Sequence, residues 1–111
     1  MCRPSAEEQV KFLTQLYRSE LPLDPRVAET VKSILVLETK DTAALSGKTG
    51  TGSYESGTRV GWFVGHLKTP ESEYVFATHI YGSQKDIWGQ KAQAITEAVL
   101  EELGLWKADP V

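Results

Sequence analysis

Residues 46–52 read Ser-Gly-Lys-Thr-Gly-Thr-Gly and place one lysine and two threonines among three glycines. Two chemistries use such a cluster. The backbone amides of a glycine-rich loop can hold a phosphate, with the lysine beside it. Alternatively, a lysine ammonium and a threonine hydroxyl can hold the carboxylate of a substrate that undergoes acyl transfer. The two chemistries require different surroundings for Lys48.

The surroundings of Lys48 favour the carboxylate interpretation. A phosphate loop needs a glycine five residues before Gly47, where Thr42 stands, and a helix after the lysine. Glycines and a segment rich in β-forming residues follow instead. Lys48, Thr49 and Gly50 are therefore the candidate catalytic and carboxylate-binding residues. A three-residue match alone is weak evidence, because an ordinary exit from a strand into a loop can look the same.

Two helices are predicted in the first third of the chain. Residues 5–8 form a Ser-Ala-Glu-Glu capping box, and apolar residues then recur at helical spacing over 6–19. Asp24 and Pro25 begin a second helix of about ten residues. Residues 39–42 are polar and predict a turn.

Three strands and a final helix should position the lysine. Residues 43–48 predict a strand that enters a mobile glycine-rich loop over 51–58, and residues 59–68 and 73–81 predict an antiparallel hairpin. Apolar side chains on both faces of 59–68 predict a central strand. A C-terminal helix should pack on the sheet through one stripe and stop at Gly104. The stripe consists of Ala92, Ile95, Val99 and Leu103.

The predicted fold class is α+β, with a short antiparallel sheet of about three strands, two N-terminal helices and a C-terminal helix packed on it. The length of 111 residues, with 41% hydrophobic residues, predicts a single domain over 1–111. A net charge of -3 argues against nucleic acid as a partner. No apolar run approaches the length of a membrane span, and no signal peptide is expected. Cys2 is the only cysteine, so it predicts no internal disulfide.

Five segments in this order resemble class D β-lactamases and related penicillin-sensor domains. The resemblance covers about residues 5–105 and corresponds to the last part of a serine penicillin-recognising domain more than twice as long. It implies a partial β-lactamase/transpeptidase-like fold and a periplasmic or extracytoplasmic location for the parent family. The segments are 8–13 (Glu-Gln-Val-Lys-Phe-Leu), 21–23 (Leu-Pro-Leu), 47–52, 60–65 (Val-Gly-Trp-Phe-Val-Gly) and 91–96 (Lys-Ala-Gln-Ala-Ile-Thr).

The resemblance assigns roles to several residues. It implies that Lys48 and Thr49 bind the β-lactam carboxylate and assist proton transfer, and that the backbone N–H of Thr51 supplies half of an oxyanion hole. Many class D enzymes place an arginine on the final helix, where Ala92 stands here. Lys91 beside it is the candidate substitute.

The family's nucleophile is missing from these 111 residues. No serine has a lysine three residues later, and the sequence contains no asparagine, so neither Ser-x-x-Lys nor Ser-Asp-Asn is present. We therefore expect a chain that is inactive alone, binds β-lactams weakly if at all, and needs no cofactor or metal. The alternative is a non-catalytic interaction domain or antibiotic-sensor remnant that dimerises through an exposed sheet edge or pairs with a complementing N-terminal half. A standalone enzyme that uses Lys48 or Ser46 in an unrelated site is the weakest hypothesis.

Two further groups of residues invite a functional interpretation. His66 and His79 have no partner at triad or metal spacing, so both are predicted to be structural. Aromatic and aliphatic residues on the hairpin could form a ligand-stacking platform, but core packing is favoured because no basic groove accompanies them. These residues are Trp62, Phe63, Tyr74, Phe76 and Ile80.

Overall fold

The computed structural model describes residues 5–40, 43–54 and 56–106. They form three helices and four strands, which confirms the α+β class. Among the described residues, no helix has both the length and the apolar character required to cross a bilayer. The elements are α1 (Ala6–Tyr17), α2 (Pro25–Leu35), β1 (Val36–Lys40), β2 (Ala43–Ser53), β3 (Arg59–Lys68), β4 (Glu73–Gly82) and α3 (Gly89–Glu102).

The sheet is antiparallel, with the strand order β1-β2-β3-β4. It has four strands where the sequence predicted three, because β1 was not anticipated. Thr39 and Lys40 were expected in a turn, but they pair with Ala44 and Ala43 of β2. The segment 38–40 has little intrinsic strand propensity, so its conformation follows from the partner strand beside it.

The glycine-rich segment after Lys48 continues as strand, so the predicted loop over 51–58 is wrong in its first part. β2 runs to Ser53, and the turn that follows is closed by a hydrogen bond from the backbone N–H of Tyr54 to the carbonyl of Thr58 at 2.8 Å. Glycines usually weaken strands. Here the pairing of β2 with β3 in the sheet outweighs that preference, since β1 pairs only with residues 43–46 of β2.

The predicted hairpin of β3 and β4 is confirmed. Its turn is closed by the backbone N–H of Thr69, which donates to the carbonyl of Ser72 at 2.8 Å. β3 lies between β2 and β4, as its apolar pattern predicted. Phe63 and Leu67 on this strand are both 0% exposed.

The chain divides into two compact units, and each is built around its own packed residues. The first comprises the residues up to Lys48 together with Val64–Ala77. Its helices pack through Leu13, Leu16 and Ala28, which are all buried. Partly buried side chains surround them, namely Tyr17, Leu21, Val64 and Val75. That residues 1–111 form a single domain stays a prediction.

The second unit comprises Thr49–Phe63 and the residues from Thr78 onward. It contains α3, whose buried face consists of Gly89, Ala92, Thr96 and Leu100. The predicted stripe is therefore wrong beyond Ala92, since Ile95, Val99 and Leu103 are 39%, 51% and 63% exposed.

Three of the four residues on the buried face of α3 have small side chains, and Leu100 is the exception. Glycine, alanine and threonine let the helix approach the strands more closely than isoleucine and valine would. The Thr96 hydroxyl is satisfied there, because it lies 2.5 Å from the Thr78 hydroxyl and 2.7 Å from the Ala92 carbonyl. Gly104 follows the helix with a φ of 74°, which confirms the predicted left-handed stop.

Candidate functional site

The candidate residues Lys48 to Thr51 are consecutive on β2. Lys48 and Thr51 are exposed, and Thr49 is half-buried. A strand continues past the lysine for five residues, to Ser53. A phosphate loop would place the start of a helix there, so this structure excludes that interpretation of residues 46–52. The strand setting is the one that the carboxylate interpretation requires.

An open groove of about 280 Å³ follows the end of β2. A side chain at Gly52 would meet nothing within 4 Å, and one at Gly50 would lie 3.8 Å from the Cβ of Trp62, which is ordinary contact. Packing therefore does not require glycine at either position, and both glycines keep the groove floor free of side chains. None of the described residues that line the groove is charged. Its lining comprises Gly50, Thr51, Gly52, Ser53, Tyr54, Val60 and Trp62.

The first turn of α3 is pressed against the same part of β2. A Cβ on Gly89 would lie 2.7 Å from the Cβ of Thr49 and 3.0 Å from the backbone N of Gly50, so only glycine fits without displacement. The backbone N–H of Gly89 donates to the Thr51 hydroxyl at 2.9 Å. The structure thus places the start of the helix that carries Lys91 beside Thr49 and Thr51.

Lys91 has a partner that sequence reasoning missed. Its ammonium lies 2.5 Å from a carboxylate oxygen of Asp86, and its side chain is 40% exposed. The hydrogen bond from Lys91, assisted by its charge, lowers the pKa of Asp86, while desolvation opposes that shift. A carboxylate ligand at Lys91 would therefore compete with Asp86. Asp86 and Lys91 are five positions apart across the start of α3, outside the three- or four-residue spacings of side-chain pairs within a helix.

The core interpretation of the hairpin residues holds only in part, since Tyr74 is 36% exposed. Phe63 is fully buried, as the core interpretation predicted, whereas Trp62 is half-buried and lines the groove. The Trp62 indole stacks on the His79 ring, with centroids 4.2 Å apart and an interplanar angle of 11°. The Tyr81 ring is tilted by 37° against the His79 ring, with centroids 5.5 Å apart. Tyr81 is 70% exposed.

His66 is held inside the first unit. Its ring stacks on Tyr17 of α1 at 3.8 Å, and its Nε2 lies 3.0 Å from a carboxylate oxygen of Glu73. Burial lowers the pKa of His66, and the hydrogen bond and charge of Glu73 oppose that effect. Burial also raises the pKa of Tyr17. The contact with Tyr17 joins residues far apart in sequence, so no local pattern predicted it, whereas Glu73 lies across the turn of the predicted hairpin.

Metal ligation has no candidate within residues 5–40, 43–54 and 56–106, since no three His, Cys, Asp or Glu side chains there converge. Cys2, which the sequence predicted to be unpaired, lies outside the described residues.

The sequence of this chain was compared with models of known protein families. A family model described as the penicillin-binding protein transpeptidase domain matches residues 4–102. The chain belongs to this family. The match spans the Lys-Thr-Gly strand, the hairpin and α3, and it confirms the resemblance to serine penicillin-recognising proteins.

Relatives include both resistance proteins and β-lactamases. The methicillin resistance mecR1 protein of Staphylococcus aureus is 40% identical over 101 residues, which cover 91% of this chain and 17% of that protein. The probable β-lactamase YbxI of Bacillus subtilis is 42% identical over 98 residues, covering 88% of this chain and 34% of that protein. This transpeptidase-family chain therefore spans about a sixth to a third of the length of these relatives.

A solved structure shows the same fold. The C-terminal domain of the Bacillus licheniformis BlaR penicillin-receptor superposes with a TM-score of 0.85 at 34% sequence identity. The superposition covers 93% of this chain and 42% of that domain. The transpeptidase-family chain is thus homologous to part of a penicillin-sensor domain and to class D β-lactamases.

Proposed function

We propose that this chain supplies the carboxylate-binding strand of a serine site that recognises penicillins. The observation that carries the proposal is the position of Lys48. It lies exposed on β2, directly before Thr49 and an open groove with a glycine floor, in a member of the transpeptidase family. In this scheme the Lys48 ammonium and the Thr49 hydroxyl orient the β-lactam carboxylate.

The neighbouring residues have supporting roles in this proposal. Gly50 lets the substrate approach the backbone closely, because it carries no side chain. The backbone N–H of Thr51 donates to the developing oxyanion of the lactam carbonyl. Lys91 adds positive charge near the start of α3, but its ion pair with Asp86 partly neutralises that charge.

Acylation requires a group that these residues do not provide. Covalent catalysis needs an activated nucleophile, and no Ser-x-x-Lys occurs in the 111 residues. Lysine and threonine on β2 can orient a substrate without opening its ring. We therefore propose that the chain alone binds β-lactams weakly, does not hydrolyse them, and works in an extracytoplasmic protein together with a segment that carries the serine.

A labelling experiment tests the absence of acylation. The purified chain is incubated with a fluorescent penicillin, denatured and separated on a gel beside an active class D β-lactamase. We expect no covalently labelled band for this chain. A labelled band of the chain's mass would contradict the proposal that its nucleophile is missing.

A titration tests the role of Lys48. Benzylpenicillin is added at millimolar concentration while backbone amide resonances are followed by NMR. Lys48→Ala should weaken binding about tenfold, since a hydrogen bond to a charged partner is lost. Lys11→Ala, which removes an exposed lysine on α1, is the matched control and should bind as the wild type does. Equal binding by the two variants would remove Lys48 from the site.

A further inference from the structure

The start of α3 has no capping side chain of its own. Its N-cap residue is Trp88, whose indole has no acceptor and makes no capping hydrogen bond. The Thr51 hydroxyl accepts from the backbone N–H of Gly89 instead, at 2.9 Å. A residue 38 positions earlier in the chain therefore plays the part that serine or threonine usually plays at the N-cap itself.

Two glycines make this contact possible. A Cβ on Gly89 would lie 2.7 Å from the Cβ of Thr49, and one on Gly61 would lie 2.3 Å from the backbone carbonyl oxygen of Trp88. The backbone of Gly89 is thus in close contact with β2, and the backbone of Trp88 is in close contact with β3. The hydrogen bond from Gly89 to Thr51 therefore forms where the backbones of the helix start and the strands are already in close contact.

The strand needs such an anchor at this point. Thr51 stands between Gly50 and Gly52, and glycine restricts the backbone less than any other residue. Thr51 therefore carries the only side chain within residues 50–52 that can tie the backbone to a neighbouring element. Its tie is to α3, which is itself anchored through the buried Thr96 hydroxyl.

We propose that the Thr51 hydroxyl is a positioning group for the carboxylate-binding strand. By capping α3 it holds Thr49 and the backbone N–H of Thr51 in the orientation that the ligand requires, without touching the ligand itself. The inference rests on the proposed function of Lys48 and Thr49. It assigns the Thr51 side chain a role that is separate from the oxyanion role of its backbone.

The test uses two variants at residue 51 and one control. Thr51→Val keeps the branched shape that suits a strand but removes the hydroxyl, and Thr51→Ser restores a hydroxyl in a smaller side chain. Thr96→Val also removes a hydroxyl that anchors α3, at a position outside the candidate site. Amide hydrogen exchange of Gly89 and benzylpenicillin titration on the amides of residues 48–51 are measured for each variant.

The expected pattern separates positioning from stability. Thr51→Val should speed Gly89 exchange and weaken benzylpenicillin binding about fivefold, and Thr51→Ser should recover both. Thr96→Val should lower stability while its binding stays within about twofold of the wild type, since its hydroxyl lies elsewhere on α3. Faster Gly89 exchange with unchanged binding in Thr51→Val would overturn the inference, and so would an equal loss of binding in Thr96→Val.

A failure of the proposed function would be visible separately. If the wild-type chain shows no titration with benzylpenicillin, the carboxylate-binding role of Lys48 and Thr49 is contradicted. The positioning role is then decided by exchange of the Thr49 and Gly50 amides. Faster exchange in Thr51→Val than in Thr96→Val supports it, and equal rates overturn it.

Discussion

Burial decides what the ionisable side chains of this fold can do. Lys48 is exposed on β2, where a cation can meet an anionic ligand. His66 on β3 is only 5% exposed and is enclosed by the Tyr17 ring and Glu73. The Lys32 ammonium lies 5.5 Å from the centroid of the same Tyr17 ring. A histidine in this setting contributes packing and one hydrogen bond, which agrees with the structural role predicted for it.

The lowered pKa of His66 predicts acid sensitivity. Burial favours its neutral form, so below about pH 6.5 the unfolded chain binds more protons than the folded chain. The free energy of unfolding should therefore fall as the pH drops from 7 through the folded-state pKa. Urea denaturation at pH 7.5 and pH 5 measures this.

The matched variants for this prediction are His66→Phe and His79→Gln. His66→Phe keeps a ring against Tyr17 and should lose part of the acid sensitivity, because the titrating group is gone. His79→Gln changes the exposed histidine that stacks on Trp62 and should retain it. An unchanged pH dependence in His66→Phe would show that other groups cause it.

At the scale of the elements, close backbone approach sets the position of α3. Gly61 and Gly89 admit the helix start against β3 and β2, and Gly65 on β3 does the same for the β2 backbone, since its Cβ would lie 2.1 Å from the Ser46 carbonyl oxygen. Glycine is needed at these places because backbone atoms cannot move aside as flexible side chains can. Gly52, in contrast, faces open space.

Substitution of two strand glycines should therefore change the free energy of unfolding by very different amounts. Gly61→Ala should lower the free energy of unfolding by about 2–3 kcal/mol, because its Cβ would meet the Trp88 carbonyl oxygen at 2.3 Å. Gly52→Ala, with nothing within 4 Å, should change it by less than about 0.5 kcal/mol. Urea denaturation of both variants checks this. Similar values for the two would refute the close approach of Trp88 to β3.

At the scale of the whole molecule, the first unit leaves an apolar stripe uncovered. Val27, Val31 and Ile34 recur at helical spacing on α2 and are 50%, 36% and 74% exposed. Exposed apolar stripes of this kind usually mark an interface. The matched receptor domain is more than twice as long as this chain, since the chain covers 42% of it. We propose association through this α2 stripe as a second candidate function, whereas the sequence led us to expect dimerisation through an exposed sheet edge.

Self-association of the isolated chain is the corresponding prediction. Light scattering should show dimers or larger species at high concentration, because association removes the α2 stripe from water. Ile34→Lys should shift the population toward monomer. Ser33→Lys adds the same charge at an exposed position on another face of the same helix and should not. A fully folded wild-type monomer at high concentration would contradict this prediction.

Local patterns in the sequence predicted much of the fold. Residues 5–8 and Asp24 correctly predicted the starts of the two N-terminal helices, because the side chains of Ser5 and Asp24 cap the turns that follow them. The hairpin followed from two β-rich runs around a four-residue turn. The exposed strand position of Lys48 also followed from its neighbours. β1 was missed because a short polar strand depends on the pairing with β2 and has no pattern of its own.

The sequence by itself determined the family, the order of most elements and the strand that carries Lys48, Thr49 and Gly50, because these depend on residues adjacent along the chain. Only the tertiary structure decided which face of α3 is buried, which carboxylate meets His66, and which hydroxyl caps Gly89. Each of these depends on residues from different elements that packing brings within hydrogen-bonding or van der Waals distance. The spacing of residues along the sequence does not determine these distances.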